Sequence, residues 1–397
     1  GVIATVGSIA YITPPVMGSI SFIMVELLAI PYAWIITMAI GPMLLYLFGI
    51  VVYNELYVRR RRLKPMEIET GHDFGYFRRY AYVFAPIALI ILMIYRGYSI
   101  NITVSLAALL FLVFAYADPT VRPPLRSIPE ALAEGFLHLL PIASAVIAAN
   151  MIMSMMVLSG LASKFSLVMM KISGSSLLLA TAFTGVFSLI LGMGVPPIAT
   201  YVLTSALTAP TIQQLAVVNG IPEEAALLAT HMFLFYYAVL AEVTPPVALS
   251  AYAAAAVMNT DPVKTGVFAA RVAVPKYLVG IIFILTLNGT GLLIIPALQA
   301  MPAAEAALAI VQRYLLSGLA VLCLNAGVVG WFRRDLSRGE RLLAVVAALA
   351  LFYPSTPTDA LGVLLAAALL LKLWVEARVR ARAKACLLYT SPSPRDS

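Results

Sequence analysis

Charge is scarce in this chain. Of its 397 residues, 11% are Asp, Glu, Lys or Arg, against about a quarter in a soluble domain. That scarcity excludes a soluble enzyme, a disordered chain and an ordinary nucleic-acid-binding protein. Cysteine is nearly absent too. Cys323 and Cys386 are too few and too far apart for a disulfide frame or a zinc site. His72, His138 and His231 are scattered, which leaves no His/Cys metal cluster. No Ser/His/Asp, HExxH or paired-carboxylate arrangement points to a membrane-embedded enzyme. No signal-peptide pattern stands at the start. The chain opens on Gly1 inside an apolar run, from which we expect that membrane segments precede it.

What is present is apolar sequence. Hydrophobic residues make up 62% and mean hydropathy is +0.97, so the chain belongs in a bilayer. A spanning helix takes about 20 apolar residues, which leaves room for roughly ten to twelve passes. Residues 1–29 form an apolar stretch broken at Pro14-Pro15. Residues 32–53, 80–95, 98–117 and 136–158 read as simple passes. Residues 176–215 are broken at Gly192-Met193-Gly194-Val195-Pro196-Pro197, and 224–258 at Thr244-Pro245-Pro246. Residues 277–295, 306–332, 341–353 and 360–376 complete the set.

The net charge of +8 sits in short loops, as the positive-inside rule distributes it. Arg59 to Lys64 with Arg78 and Arg79 mark one cytoplasmic loop, and Arg122 and Arg126 a second. Lys264, Arg271 and Lys276 mark a third, Arg333 to Arg341 a fourth, and Arg378 to Lys384 the C-terminal tail. An even number of crossings must separate adjacent basic loops. That holds only if 176–215 enters and leaves from the outer side as a re-entrant hairpin, and 224–258 crosses despite its break. The loop 218–223 lacks Lys and Arg, as an outer loop does.

The breaks carry the functional reading. Proline removes a backbone donor and clashes with the preceding turn. In lipid, the freed groups must be met by protein or by a wet cavity. Half-helix N-termini suit anions and unwound carbonyls suit sodium. Thr13-Pro14-Pro15-Val16 matches Thr244-Pro245-Pro246-Val247, each midway in an apolar run. By the charge-derived topology they run in opposite directions, the signature of an inverted repeat with its site at the repeat interface. Gly192 and Gly194 free the backbone to turn carbonyls toward a ligand. Thr244 offers a hydroxyl and a carbonyl to sodium, and Thr13 follows by symmetry. Ser8 and Thr200 serve equally well as local caps. Glu242 is an ionisable group at membrane depth, suited to a cation, a proton or a distant base. His231, eleven residues earlier on the same helix face, reads as a packed, singly bonded histidine. Asn150 reads as a cross-helix hydrogen bonder.

At these residues the chain resembles the large membrane subunit of tripartite ATP-independent periplasmic (TRAP) transporters, the DctM-like permease, in the branch that works with TAXI-type binding proteins. The matching stretches are PPVMGSISFIMVELLAIPY from Pro14, LSGLASKF from Leu158, GMGVPPIATYVLTSALTAP from Gly192, and HMFLFYYAVLAEVTPPVALSAYAAAAVMNTDPVKTGVFAARVAVPKY from His231. The resemblance implies an all-α polytopic, inverted-repeat secondary transporter of elevator type. It would lie in a bacterial or archaeal inner (plasma) membrane and import small organic anions such as carboxylates with sodium. A periplasmic TAXI-type substrate-binding protein would deliver the substrate. A small four-helix membrane subunit, separate or fused upstream, would accompany the permease. A first hairpin would precede residue 1. No organic cofactor and no nucleic acid is expected.

The implied site comprises Gly192, Met193, Gly194, Val195, Pro196, Thr200, Thr244, Pro245, Pro246, Ser8, Thr13, Pro14, Pro15 and Glu242, with sodium held through Gly192, Gly194 and Thr244. Pro197 and Glu242 depart from the family pattern. The expected organisation follows. Residues 1–53 end the first repeat, 54–79 form a basic cytoplasmic loop, and 80–135 connect. Residues 136–295 form the second repeat, 296–385 add helices, and 386–397 read as a non-native tail. The alternatives are an anion exchanger or channel that needs no binding protein, or a sodium/dicarboxylate symporter of another family.

Overall fold

The computed structural model describes residues 1–64, 80–119 and 122–389. The basic loop beyond Lys64, including Arg78 and Arg79, and the tail beyond Tyr389 lie outside the described residues. The architecture is all-α, with one short hairpin. In chain order the helices are α1 (Val2–Ile9), α2 (Ile20–Leu28), α3 (Tyr32–Arg61), α4 (Ala85–Tyr95), α5 (Ile100–Ala117), α6 (Ser127–Leu158), α7 (Leu161–Ser173), α8 (Leu177–Leu191) and α9 (Pro197–Val218). There follow α10 (Glu223–Leu240), α11 (Leu249–Val257), α12 (Pro262–Val272), α13 (Val274–Leu285), α14 (Ile295–Ala300), α15 (Ala303–Val329), α16 (Arg338–Phe352) and α17 (Thr356–Tyr389). Two-residue strands β1 (Trp331–Phe332) and β2 (Arg334–Asp335) pair antiparallel between α15 and α16.

α10 is the core of the molecule. From Ala225 to Leu240 every residue except Leu227 is buried. An all-round apolar helix finds its place only where protein surrounds it. It packs against α9, α13, α14 and α8. α3, α5, α15, α17 and α10 with its extension to Val243 are each long and apolar enough to cross a membrane. Two bent pairs, α6–α7 at 76° and α12–α13 at 45°, pass the same test together. That gives at most seven such spans among the described residues, fewer than the run lengths suggest. Several apolar runs are divided into half-helices.

The expected pass over 277–295 is one of those divided. α13 ends at Leu285, Thr286 is extended (φ −150°, ψ 162°), and a 3₁₀ segment runs over Leu287–Leu293. The Thr286 hydroxyl donates to the Pro354 carbonyl (2.8 Å) and accepts from the Gly289 N–H (3.2 Å). Gly289 lies against the Ile282 carbonyl, where a Cβ would come within 2.1 Å. Only glycine permits that approach, and the helix does not continue through it. Residues 136–158 belong to a longer helix that starts at Ser127 and ends before Gly160 (φ +67°).

The basic segments gather at one end. Arg60 at the end of α3 pairs with Asp335 (2.9 Å) and donates to the Val329 carbonyl. Phe268 of α12 packs edge-on against Tyr53 and Tyr57 of α3. Elsewhere, Gln299 of α14 donates to Glu224 at the start of α10 (2.9 Å), joining two segments poor in basic charge.

Candidate substrate and ion site

The two Thr-Pro-Pro-Val segments adopt the same local shape. The helix before each tightens into a 3₁₀ turn, Ala10–Ile12 and Ala241–Val243. The threonine is extended in both, Thr13 at φ −90°, ψ 113° and Thr244 at φ −101°, ψ 122°. Both Pro-Pro peptide bonds are cis. A nine-residue helix follows each, α2 and α11. Proline denies both helices their next donor, so each threonine hydroxyl turns back to a carbonyl of the last turn. Thr13 donates to Ile9 (2.8 Å) and Thr244 to Leu240 (2.7 Å). The likeness extends along the chain. A tyrosine follows each threonine at the same spacing, Tyr46 and Tyr277, since 46 − 13 and 277 − 244 are both 33. The Tyr277 hydroxyl shares a 2.5 Å hydrogen bond with Thr244 Oγ1. Tyr46 bonds the α1 backbone at the Thr5 carbonyl (3.3 Å) and meets Ser8 Oγ (3.1 Å).

The structure brings the two breaks together. α1 packs against α11, α12 and the 3₁₀ turn of the second break. Tyr11 and Glu242, each two residues before its threonine, interact through their side chains. Glu242 Oε2 also accepts from Ser250 Oγ (3.0 Å). Glu242 is 9% exposed, so its position is interior. The Lys276 charge lies in its field, without an ion pair between the two among the described residues.

Lys276 is the residue that sequence patterning misplaced. The charge pattern places it in a basic cytoplasmic loop with Lys264 and Arg271, yet it is fully buried at 0% exposure. Its ammonium has no hydrogen-bond partner among the described residues. It lies 4.7 Å from the Tyr46 ring centre and 5.6 Å from that of Tyr236, with the Glu242 charge in its field. Two aromatic faces stabilise a desolvated cation. The bend between α12 and α13 turns Lys276 inward while Lys264 stays exposed. The signal in the sequence was the Thr-to-Tyr spacing, which places Tyr277, and with it Lys276, beside the second break.

The hairpin tip lies against the same place. α8 and α9 pack together, and the turn between them runs through Gly194 at φ +79°. At Gly192 a Cβ would come within 2.3 Å of the Ala241 Cβ. Glycine therefore lets the tip seat directly on the 3₁₀ turn before Thr244. The Ser188 hydroxyl, one turn back, is buried with no partner among the described residues. Thr200 Oγ1 donates to the Pro196 carbonyl (3.3 Å), a local cap. Gly192 and Thr200 are buried, whereas Met193, Gly194 and Pro196 are exposed and Val195 half-buried at the tip. Pro14, Pro15 and Pro245 are half-buried and Pro246 is exposed.

Two other expected residues are placed apart from this cluster. His231 is packed against Tyr201, ring nitrogen to hydroxyl at 2.8 Å. Asn150 is exposed on α6; its carbonyl accepts from Ser154 within the same helix, and no cross-helix bond is seen among the described residues. No group of three His, Cys, Asp or Glu side chains suited to a metal is found among the described residues.

The fold is an all-helical membrane architecture, interrupted at two matched points and at the turn between α8 and α9. The chain belongs to the family described as the tripartite ATP-independent periplasmic transporter, DctM component, which it matches over residues 1–321. Members are the membrane permease of a secondary transporter and work with a periplasmic substrate-binding protein and a small membrane subunit. The alternative of a symporter from another family is thereby set aside. No curated protein and no solved structure matched the chain.

Proposed function

We propose that this permease imports small organic anions, carboxylates first, across an inner membrane by sodium symport. A TAXI-type binding protein hands the substrate over. The two proline-broken segments belong to an inverted repeat that moves as an elevator. The observation that carries the reading is the convergence of Gly192, Thr244 and Glu242 from one half with Ser8, Tyr11 and Tyr46 from the other. Sodium prefers oxygen ligands, and the carbonyls freed by Pro14, Pro245 and the Gly192–Pro196 turn supply them. Lys276 and the half-helix N-termini give the anion a positive surrounding.

The test is uptake into proteoliposomes by the full-length permease with its small subunit and binding protein. The expected result is accumulation of a labelled carboxylate only under an inward sodium gradient. Accumulation unchanged in sodium-free buffer would overturn the coupling. Equal uptake without the binding protein would favour the exchanger or channel reading.

A further inference from the structure

The family match ends at residue 321, and the short hairpin beyond it meets the end of α3. The β1–β2 hairpin pairs Trp331 with Asp335 and Phe332 with Arg334, leaving Arg333 at its apex. Arg333 takes φ +59°, a backbone conformation that L side chains rarely adopt. It is exposed and makes no ion pair among the described residues. Its neighbours differ in that respect. Arg334 is held by Glu340 and Glu376, Arg60 by Asp335, and Arg59 by Glu55.

A cavity lies on either side of this apex. One, of about 580 Å³, is lined by Glu55, Leu56, Arg59, Trp331, Phe332 and Arg333. The other, of about 840 Å³, shares Phe332 and Arg333 and is otherwise apolar, walled by α17 residues such as Leu364, Leu371 and Trp374. Leu364 and Leu371 are 67% and 61% exposed among the described residues. From Leu364 to Trp374 the wall runs about 15 Å along the helix, long enough for much of an acyl chain. Cations therefore stand at the end of an open aliphatic channel, at the end of the bundle where positive charge accumulates.

We propose that the two cavities form one site for an anionic phospholipid of the bilayer. The phosphate sits between Arg333 and Arg59, and one acyl chain lies along the Leu364–Trp374 face of α17. Charge complementarity selects this occupant, because the nearby carboxylates are already held and Arg333 is not. Basic pockets at the cytoplasmic edge of membrane helices bind such headgroups, each arginine contributing about fivefold in affinity. Glu55 opposes the phosphate, so it sets the affinity below its maximum.

The experiment is native mass spectrometry of the full-length protein exchanged into nanodiscs of phosphatidylglycerol or phosphatidylcholine. Wild type is expected to retain one phosphatidylglycerol after delipidation and no phosphatidylcholine. Arg333→Gln lowers that retention about fivefold, Arg333→Gln with Arg59→Gln abolishes the preference, and Glu55→Gln raises retention. Arg338→Gln, on the same end and outside both cavities, leaves it unchanged. Where an arginine variant fails to fold, dioctanoyl-phosphatidylglycerol added to wild type is expected to raise its melting temperature, and glycerol 3-phosphate is not. Equal retention of the two lipids, unchanged retention in Arg333→Gln, or equal stabilisation by glycerol 3-phosphate would overturn the proposal.

Discussion

Replacing Lys276 by methionine probes the cluster at its centre. Methionine keeps most of the side-chain volume and removes the charge. The ammonium is wholly enclosed, and Glu242, the carboxylate in its field, is 9% exposed. The two make no ion pair among the described residues, so removing the lysine charge takes from Glu242 an opposite charge in its field, at a cost below the roughly 3–5 kcal/mol of breaking a buried contact pair. Replacing both members by neutral residues of similar size is close to neutral. Lys276→Met alone is therefore expected to lower the melting temperature of the purified full-length protein and to abolish uptake. Lys276→Met combined with Glu242→Gln is expected to recover most of the stability. The interaction energy from the double-mutant cycle should fall at about 1–3 kcal/mol. Stability and transport need not return together, since on the proposed function substrate and ion binding would still miss the charges that the double variant lacks. A single variant as stable as wild type, or a double variant whose loss equals the sum of the two singles, would refute the electrostatic coupling of Lys276 with Glu242.

Three further outcomes are expected. Gly192→Ala places a methyl group 2.3 Å from the Ala241 Cβ, an overpacking cost of about 1–3 kcal/mol that unseats the hairpin tip and shows as lost uptake at near-normal expression. Arg313→Met leaves Asp359 buried, since the two pair at 2.5 Å with side chains 2% and 8% exposed; thermal unfolding should show a loss of about 3–5 kcal/mol, mostly restored by adding Asp359→Leu. Glu340 is held well below the usual carboxylate range, first by its hydrogen bond from Arg334 and then by those from Lys372 and the Ser337 backbone. A lowered folded pKa contributes stability that is complete above the unfolded value of about 4.3 and fades as pH falls through the folded one. Glu340→Gln should thus be less stable at neutral pH and show a flatter loss below about pH 4 in an acid melting series.

The charge pattern read from the sequence has a physical counterpart in the fold. Arg60 reaches Asp335 across 275 positions of sequence, so two basic segments share one end of the bundle. The Pro-Pro breaks were legible because proline's missing donor acts locally, whatever surrounds it. The threonines were legible as the residues that stand before each break, and their hydroxyls bond back to their own helices. Lys276 was not legible, because a lysine at the head of an apolar run looks like a topogenic charge. Only the 45° bend between α12 and α13 decides which way it turns. The division of 277–295 was hidden for a similar reason. Hydropathy does not register Gly289 meeting the Ile282 carbonyl, or Thr286 bonding Pro354 across 68 residues.

Composition and local chemistry alone settled the solvent, the helical class and the places where helices must open, because apolar content, proline and glycine act within a few residues. Tertiary structure decided which openings meet, that Tyr11 faces Glu242, and that a lysine is enclosed by tyrosine rings from both halves of the chain. Tyr11 and Glu242, like Tyr46 and Lys276, lie more than 200 residues apart, and no local rule of the backbone specifies such contacts.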